Sequence, residues 1–285
     1  MSKIVSYLFE TNALRICEDN QPFWYTSGKI GPYYINTHFL YGSEQDAVDL
    51  LKFIDSEKED KKAFPKKVFE KTLNHYNENK IYKDVIDEMI EFIKKNIDVN
   101  EIDYISGGER RDWFFSNIIA NKLQKPHITI YKDLSIVVND SNFENEIDKE
   151  EVKNAKVLHI ADLITEASSY LRAWIPAVKD LGANILWSTV VVDRMQGGCE
   201  KLEAENIKSL SIIQIDETLF KKAFDMNIIN ENQFEMLKNF YKNSDETMRK
   251  FLIAHPEFLE NALKSDEKTA ARARLCIDSD LYNLK

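Results

Sequence analysis

The spacing of apolar residues is mostly helical in the first third of the chain and alternates between strand and helix after it. Residues 2–19 form an amphipathic helical pattern. Residues 44–97 are helical throughout, with breaks near Pro65 and residues 77–79 and with Ser43 and Asp46 suggesting an N-terminal cap. Between them, residues 22–42 carry aromatic and β-branched residues around a Ser-Gly-Lys turn. This pattern predicts a hairpin.

Short apolar runs appear in the middle of the chain, separated by helical patterns. The five runs lie at 102–106, 127–131, 157–161, 184–193 and 207–215. Alternating strands and helices are typical of βαβ units, and therefore of a parallel sheet. The highly polar stretch 139–154 predicts an exposed loop.

Strand patterns stop after Asp216, and helix start signals replace them. The four predicted starts are at Asn230, Ser244, Pro256 and Ser265. The tail therefore predicts a small helical bundle.

The fold class that we predict is α/β, with a doubly wound and mainly parallel sheet. Its α/β core would occupy residues 101–215. An N-terminal helix and hairpin hood would precede it at 1–100, and a C-terminal helical extension would follow it at 216–285.

The composition is that of an ordinary globular protein, with 44% hydrophobic and 30% charged residues among 285. No stretch approaches the length of a membrane span, and the start of the chain fits neither a signal nor a transit peptide. The three cysteines, Cys17, Cys199 and Cys276, are far apart and odd in number, which favours free thiols. We expect a cytoplasmic protein with no membrane partner and no zinc site.

The formal net charge of −10 argues against a nucleic acid polymer as a partner, because such proteins present a basic surface. A small anionic substrate is compatible with this charge. It needs only a local cluster of arginine, lysine and backbone N–H groups.

One candidate site follows the apolar run at 157–161, where the chain turns and a helical pattern begins. In open parallel sheets, ligands bind at such turns. Asp162 is placed to accept hydrogen bonds from sugar hydroxyls, while Thr165, Ser168 and Ser169 offer donors to a phosphate at the helix N-terminus. The alternative is that these residues only cap a helix, and the residues alone favour neither.

A second candidate site follows the run at 102–106. Gly107 and Gly108 let backbone approach a ligand closely, and Arg110 and Arg111 offer forked donors suited to phosphate or pyrophosphate. The alternative is a surface arginine pair bridged to the neighbouring Glu109 or Asp112.

Together these segments resemble a known family. Residues 6–36 are similar to the amino-terminal segment of orotate phosphoribosyltransferases, and the matching positions are Phe23, Ser27, Gly28, Lys29, Pro32, Tyr33, Tyr34, Ile35 and Asn36. The turn at 106–113 resembles the family's pyrophosphate loop, and residues 157–170 resemble the type I phosphoribosyltransferase signature. Asp193 and Arg194 resemble the Asp-Arg pair that follows the next strand in that family. The resemblance spans about residues 2–215.

The resemblance implies roles for residues outside the two turns. Lys29 would contact pyrophosphate or base, Tyr33 and Tyr34 would flank the pyrimidine, and Arg194 would bind its polar edge. Lys132 stands where the family's mobile catalytic loop begins. Two alternatives stay open: the tyrosines belong to the hairpin core, and Arg194 pairs with Asp193.

Four departures set this chain apart from the pattern. Ala161 replaces the first acid of the signature, Ala167 replaces the loop glycine, and Glu166 adds a negative charge. In the catalytic loop, Tyr131 replaces an arginine and the Lys-x-His-Gly element is missing. We expect Ala167 to adopt ordinary negative-φ dihedrals and Glu166 to point outward.

The resemblance implies transfer of a 5-phosphoribosyl group from phosphoribosyl pyrophosphate to orotate or a related base, with Asp162, Lys29 and Lys132 as catalytic residues. Mg²⁺ would enter with the pyrophosphate rather than on a protein metal site, and the chain would form a homodimer. The alternative is a sensor of the same fold, which binds a pyrimidine or nucleotide without catalysis and contacts a partner through its helical tail.

Overall fold

The computed structural model describes residues 3–284. Its strands are β1 Leu14–Ile16, β2 Phe23–Trp24, β3 Ile30–Gly31, β4 Tyr33–Ile35, β5 Tyr104–Gly108, β6 His127–Ile130, β7 Ile136–Asn139, β8 Lys156–Ile164, β9 Asn184–Asp193 and β10 Lys208–Gln214. Its α-helices are α1 Lys3–Glu10, α2 Glu44–Glu57, α3 Phe64–Glu78, α4 Lys80–Asn96, α5 Trp113–Lys122, α6 Ile175–Asp180, α7 Gly198–Ala204, α8 Glu217–Asp225, α9 Glu231–Lys242, α10 Ser244–Ala254, α11 Pro256–Leu263 and α12 Glu267–Asp278. A 3₁₀ helix spans Thr37–Tyr41, and a π-helical segment, Tyr170–Trp174, leads into α6.

The described residues fall into two compact units. The sheet unit runs through Ala13 and resumes over Thr37–Ile215, and the helical unit joins Leu14–Asn36 to the chain from Asp216 onward. The hairpin of the predicted hood thus belongs to a different unit from the hood's helices. The three-part division drawn from the sequence stays a prediction.

The sheet unit contains a six-stranded sheet in the order β10-β9-β8-β5-β6-β7. All neighbours are parallel except β6 and β7, so the predicted α/β fold is confirmed. Each of the five apolar runs forms a strand, because both faces of a parallel sheet are covered and its strands are apolar throughout.

The edge strand β7 was not predicted. A tight turn at Tyr131–Ser135, with Leu134 at φ +70°, returns the chain antiparallel to β6. The apolar run of β7 is only three residues long and directly follows polar turn residues. It was therefore too short to show the spacing of a strand. The following stretch is mostly exposed, as expected, although Phe143 is buried and stacks on Phe69.

Strand order reverses between β5 and β8, since the chain proceeds from β5 to β6 on one side and continues from β8 to β9 on the other. The turns that leave the carboxyl ends of these two strands are therefore neighbours. Such a reversal is where open α/β sheets bind ligands. This confirms the expectation that both candidate turns lie at one edge of the sheet.

The predicted helix over 2–19 is wrong beyond Glu10, and its first residue lies outside the described range. Asn12 adopts φ +58°, a conformation that ends a helix and that asparagine tolerates. The next apolar residues form β1, which pairs antiparallel with β4. The predicted helical stretch 44–97 is three helices, with Ser43 accepting from the N–H of Asp46 as predicted.

The helical unit contains the predicted hairpin, in which β2 pairs antiparallel with β3. Trp24 on this hairpin stacks on Phe258 at 5.5 Å between ring centroids, and Tyr282 accepts the N–H of Ile30 at 2.8 Å. Asn230 and Gln233 form the expected capping box of α9. Helix α8, which Asp216 caps, was not among the predicted helices. Among residues 3–284, no helix has both the length and the apolar character that a membrane span requires.

Candidate functional site

Two turns border a single pocket of about 490 Å³ in the sheet unit. We call residues 107–112, at the end of β5, the arginine turn, and residues 161–169, at the end of β8, the serine turn. Tyr170 and Trp174 of the π-helical segment complete the pocket wall.

The arginine turn is tied to helix α2 by ion pairs. Arg110 pairs with Asp55, and Glu109 pairs with Lys58 at 2.7 Å. The other oxygen of Glu109 accepts the backbone N–H of Lys132 at 2.9 Å. The alternative of an Arg110 bridged to its immediate neighbours is wrong, because its partner lies 55 residues earlier. The Glu109–Arg110 peptide bond is cis.

Arg111 behaves differently from Arg110. Within residues 3–284 its guanidinium makes no hydrogen bond or ion pair, and the residue lies in the pocket wall. Burial, aided by the charge of Arg111, lowers the pKa of His38, whereas at Asp162 that charge opposes the rise in pKa that burial and Asp112 cause. Arg111 is therefore a cation available to a ligand.

The two glycines of the arginine turn lie directly against buried side chains. A Cβ on Gly107 would lie 2.2 Å from the Ser116 hydroxyl oxygen, and one on Gly108 would lie 2.3 Å from the Trp174 indole. Both distances are far below van der Waals contact, so any larger residue would displace a buried neighbour. Close packing against Ser116 and Trp174 therefore requires glycine at these two positions, a reason that the sequence did not suggest.

Asp112 connects the arginine turn to the serine turn. One carboxylate oxygen accepts the N–H of Gly108 at 3.0 Å, and the other accepts the N–H of Asp162 at 3.2 Å. A carboxylate that accepts backbone N–H groups on two strands fixes the spacing between them. Its role in bridging the turns was not anticipated from the sequence.

Asp162 is a buried carboxylic acid at the pocket. Its Oδ2 atom has no hydrogen-bond partner within the described chain. Burial and the nearby charge of Asp112 raise its pKa to about 7. Its neighbour Ala161 is also buried and belongs to the apolar core, so an acid at that position would lose its hydration.

The serine turn ends where the helical backbone begins. Ser168 and Ser169 are exposed, Thr165 is half-buried, and the N–H of Leu171 donates to the carbonyl of Ala167. Glu166 is exposed at the pocket rim and lies 3.7 Å from the Lys201 ammonium, in keeping with the expected outward orientation.

Ala167 contradicts its expected conformation, because its φ is +54°. This is the left-handed region that glycine occupies without steric penalty and that a Cβ disfavours. At this position the serine turn therefore keeps a backbone conformation that is typical of glycine, although the residue is alanine. The alanine methyl group is buried in the core cluster, which offsets part of the strain.

The other predicted site residues lie elsewhere. Lys132 has an exposed side chain beside the arginine turn. Arg194 follows β9, and its backbone N–H donates to the carbonyl of Ile164 in the serine turn at 3.0 Å. The carboxylate of Asp193 accepts from the Met195 N–H and the Cys199 thiol.

Three predicted residues belong to the helical unit. Lys29 pairs with Asp245 at 2.8 Å, and Tyr33 is buried beside Phe220 and Phe240. Tyr34 is partly exposed and has the Arg15 guanidinium 5.9 Å from its ring centroid. Their part in ligand binding stays a prediction.

Two buried histidines near the site were missed. His159 lies in the middle of β8, with Nδ1 2.9 Å from the Ser106 hydroxyl and Nε2 3.4 Å from Asp112. His38 has its pKa lowered to about 3 by burial and by Arg111 and Arg110. A histidine inside an otherwise apolar strand was the available signal for His159.

Sequence comparison finds relatives among phosphoribosyltransferases, although no family model matches the chain. The chain is 25% identical over 218 residues to an orotate phosphoribosyltransferase of Sulfolobus acidocaldarius, covering 76% of this chain and 87% of that protein. It is 25% identical over 218 residues to that of Sulfurisphaera tokodaii, covering 76% and 88%. An adenine phosphoribosyltransferase of Mycoplasma mobile is 27% identical over 177 residues, covering 58% and 98%.

Structure comparison agrees with the sequence comparison. The orotate phosphoribosyltransferase of Francisella tularensis superimposes with a TM-score of 0.54 at 16% identity, covering 84% of this chain and 98% of that one. The UMP synthase of Leishmania donovani gives 0.54 at 16% identity, covering 85% of this chain but 42% of that longer one. At this identity the structural match concerns the fold. The chain is thus similar in sequence to orotate phosphoribosyltransferases and shares the fold of solved members of that family.

Proposed function

We propose that this chain is a phosphoribosyltransferase, which transfers a 5-phosphoribosyl group from phosphoribosyl pyrophosphate to a nitrogen of orotate or a related base. The bond between ribose C1 and a pyrophosphate oxygen breaks, and a bond between C1 and the base nitrogen forms. Pyrophosphate leaves with the electron pair. This reaction belongs to pyrimidine nucleotide synthesis.

The observation that carries the proposal is that two unsatisfied groups of opposite charge border one pocket. Arg111 is unpaired within the described chain, and Oδ2 of Asp162 lacks a hydrogen-bond partner there. Buried polar atoms are normally hydrogen-bonded, so an unpartnered oxygen on an acid that lines a pocket points to a ligand. A sugar bearing pyrophosphate offers hydroxyl donors to the acid and oxygens to the arginine.

Each of these groups would bind a different part of the substrate. Asp162, once ionised, would accept hydrogen bonds from ribose hydroxyls, while Ser168, Ser169 and Thr165 would donate to the 5-phosphate with backbone N–H groups. Arg111 would stabilise the charge that develops on the leaving pyrophosphate. Its positive charge beside Asp162 also favours the ionised acid.

The resemblance names candidate base contacts in each unit. Arg194 is the candidate in the sheet unit, and Tyr33, Tyr34 and Lys29 are the candidates in the helical unit. Lys132 would approach the reacting groups from beside the arginine turn. The relatives that carry the name orotate phosphoribosyltransferase support orotate as the first base to test.

Mg²⁺ fits this site only as an ion carried by the substrate. Among the described residues there is no group of three or more His, Cys, Asp or Glu side chains that could hold a metal. Mg²⁺ commonly binds through one or two carboxylates and the phosphates of a substrate. Asp162, which lines the pocket and has an unpartnered oxygen, would be available to such an ion, which would neutralise pyrophosphate charge.

Calorimetric titration separates this proposal from the sensor alternative. Phosphoribosyl pyrophosphate with Mg²⁺ and, separately, orotate should both bind, and mixing all three with the protein should release pyrophosphate. A sensor would bind the base or a nucleotide but refuse phosphoribosyl pyrophosphate. That second result would overturn the proposal.

We also propose a homodimer, which the resemblance implies. Type I phosphoribosyltransferases of this kind share their catalytic loop across a two-fold axis, and closed two-fold dimers are the commonest oligomers. Light scattering at micromolar concentration should give a mass of about twice 33.3 kDa. A monomer at that concentration would contradict this part of the proposal.

A further inference from the structure

Asp112 stands at the N-cap of α5 but does not cap it. Aspartate at this position usually accepts an N–H from the first turn of its own helix. Here the side chain makes no such bond and instead reaches the N–H groups of Gly108 and Asp162. The side chain therefore links two turns instead of capping its own helix.

The link bridges strands that are no longer paired. The backbone ladder between β5 and β8 runs from Tyr104 opposite Val157 only as far as Ser106 opposite His159. Beyond that register, β5 continues to Gly108 and β8 continues past Asp162. The carboxylate thus lies where the strands separate, and it accepts one N–H from each of them.

A buried side chain lies behind the carboxylate. His159, at the last paired position, has Nε2 3.4 Å from Oδ2 of Asp112, and its Nδ1 is 2.9 Å from the hydroxyl of Ser106 on the opposite strand. Both Ser106 and His159 are fully buried. The side chains of the last register pair therefore support the residue that joins the strands beyond it.

We propose that Asp112 is a positioning residue that holds the arginine turn and the serine turn at the spacing at which one ligand occupies both. This inference rests on the proposed function, because it assigns pyrophosphate to Arg111 and ribose to Asp162. Asp112 need not touch either group. It acts through the two backbone N–H groups that it fixes.

Fixed spacing matters only for a ligand whose two parts are covalently joined. Inorganic pyrophosphate needs the arginine turn alone, and ribose 5-phosphate needs the serine turn alone. Phosphoribosyl pyrophosphate gains affinity from occupying both at once, and this gain disappears when the two half-sites move apart. A loss confined to the joined ligand is therefore the signature of a positioning residue.

The test compares these three ligands on the full chain, with Mg²⁺ present, by calorimetry. Asp112→Asn keeps the shape but loses at least one accepted bond, and Asp112→Glu keeps the charge but displaces it. Both should weaken phosphoribosyl pyrophosphate about 10-fold or more, the effect of one lost charge-assisted hydrogen bond. Both should leave pyrophosphate and ribose 5-phosphate within about 2-fold of wild type. A parallel loss for all three ligands, or no loss for the joined one, would overturn the inference.

Hydrogen exchange in the ligand-free protein tests the link without any substrate. Asp112→Asn should speed exchange about 10-fold at the amide of Gly108, of Asp162 or of both, while Ile105 and Leu158 in the paired ladder keep wild-type rates. Unchanged rates at both amides, or faster exchange along the whole ladder, would overturn the inference. If wild type binds none of the three ligands, the proposed function fails and this measurement still decides the link.

Discussion

The two turns that border the pocket are built in opposite ways. In the arginine turn, Arg110, Glu109 and Asp112 all have protein partners, and Arg111 is the exception. In the serine turn, Asp162 has an unpartnered oxygen and Ser168 is exposed. The arginine turn is a frame that tertiary contacts hold in place. The serine turn presents polar groups that have no protein partner among the described residues.

The serine turn is also the one that lowers stability. It contains a buried acid with a raised pKa and an alanine at positive φ. Strained backbone and shifted pKa values persist where the surrounding structure holds them, and they concentrate at functional sites. On the proposed function, the contrast teaches that the arginine turn fixes the spacing of the site and offers Arg111, while the strained turn offers Asp162 and the serines to the ligand.

The largest expected effect separates the two arginines. Arg111→Ala should weaken phosphoribosyl pyrophosphate binding about 100-fold, because an unpaired guanidinium offers two charge-assisted hydrogen bonds to pyrophosphate. Arg110→Ala, the matched control, should weaken it by about 10-fold or less, since that side chain is already paired with Asp55. Calorimetric titration of both variants measures the difference. Equal losses of affinity in the two variants would mean that the ion pair of Arg110 in the free protein does not distinguish it from Arg111.

The next effect concerns the stability of the buried acid. In the folded state the pKa of Asp162 is about 7, against 3.8 for an unperturbed group, and Asp112, Arg111 and Tyr170 are the titratable groups around it. The folded state holds a proton that the unfolded state releases above about pH 4, so the wild-type free energy of unfolding falls as pH rises towards 7.

Asp162→Asn removes this fall because an amide does not ionise. The variant should therefore gain about 1–3 kcal/mol relative to wild type between pH 4 and pH 8. Urea unfolding at the two pH values measures the gain. Asp180→Asn, at an exposed acid of α6, is the control and should show none. A variant whose stability tracks wild type at both pH values would show that Asp162 is ionised without penalty.

The smallest effect tests the strain at Ala167. Replacing a buried alanine by glycine in a helix loses methyl burial and helix propensity, and Ala177→Gly in α6 should cost about 2 kcal/mol. At Ala167 the relief of positive φ offsets these losses, so Ala167→Gly should change stability by less than about 1 kcal/mol. Thermal or urea unfolding of the pair measures this. Equal costs at the two positions would contradict the strained conformation.

Much of the fold was predictable because it depends on local pattern. The five core strands followed from apolar runs, and the caps at Ser43 and Asn230 followed from side chains that bond within three residues. The shared edge of the two turns followed from the rules of parallel sheets. Helix α1 was overextended, although Leu14 and Ile16, two residues apart, fit a strand period better than a helical one.

The site was less predictable because its contacts are distant in sequence or contrary to residue preference. The pairing of Arg110 with Asp55 joins elements 55 residues apart. Asp112 favours a helix cap by residue type, and only the separation of β5 from β8 explains its other use. Alanine rarely adopts positive φ, so residue preference gave the wrong conformation at Ala167, although the glycine at the matching position of the family pattern was a signal for it.

The central claim is that the pocket between the two turns binds phosphoribosyl pyrophosphate. The most direct measurement is a crystal structure of the protein grown with that compound and Mg²⁺. We predict the pyrophosphate within hydrogen-bond distance of the Arg111 guanidinium and the ribose hydroxyls within hydrogen-bond distance of Asp162. Density for the compound at another place, or an empty pocket at saturating concentration, would contradict the account.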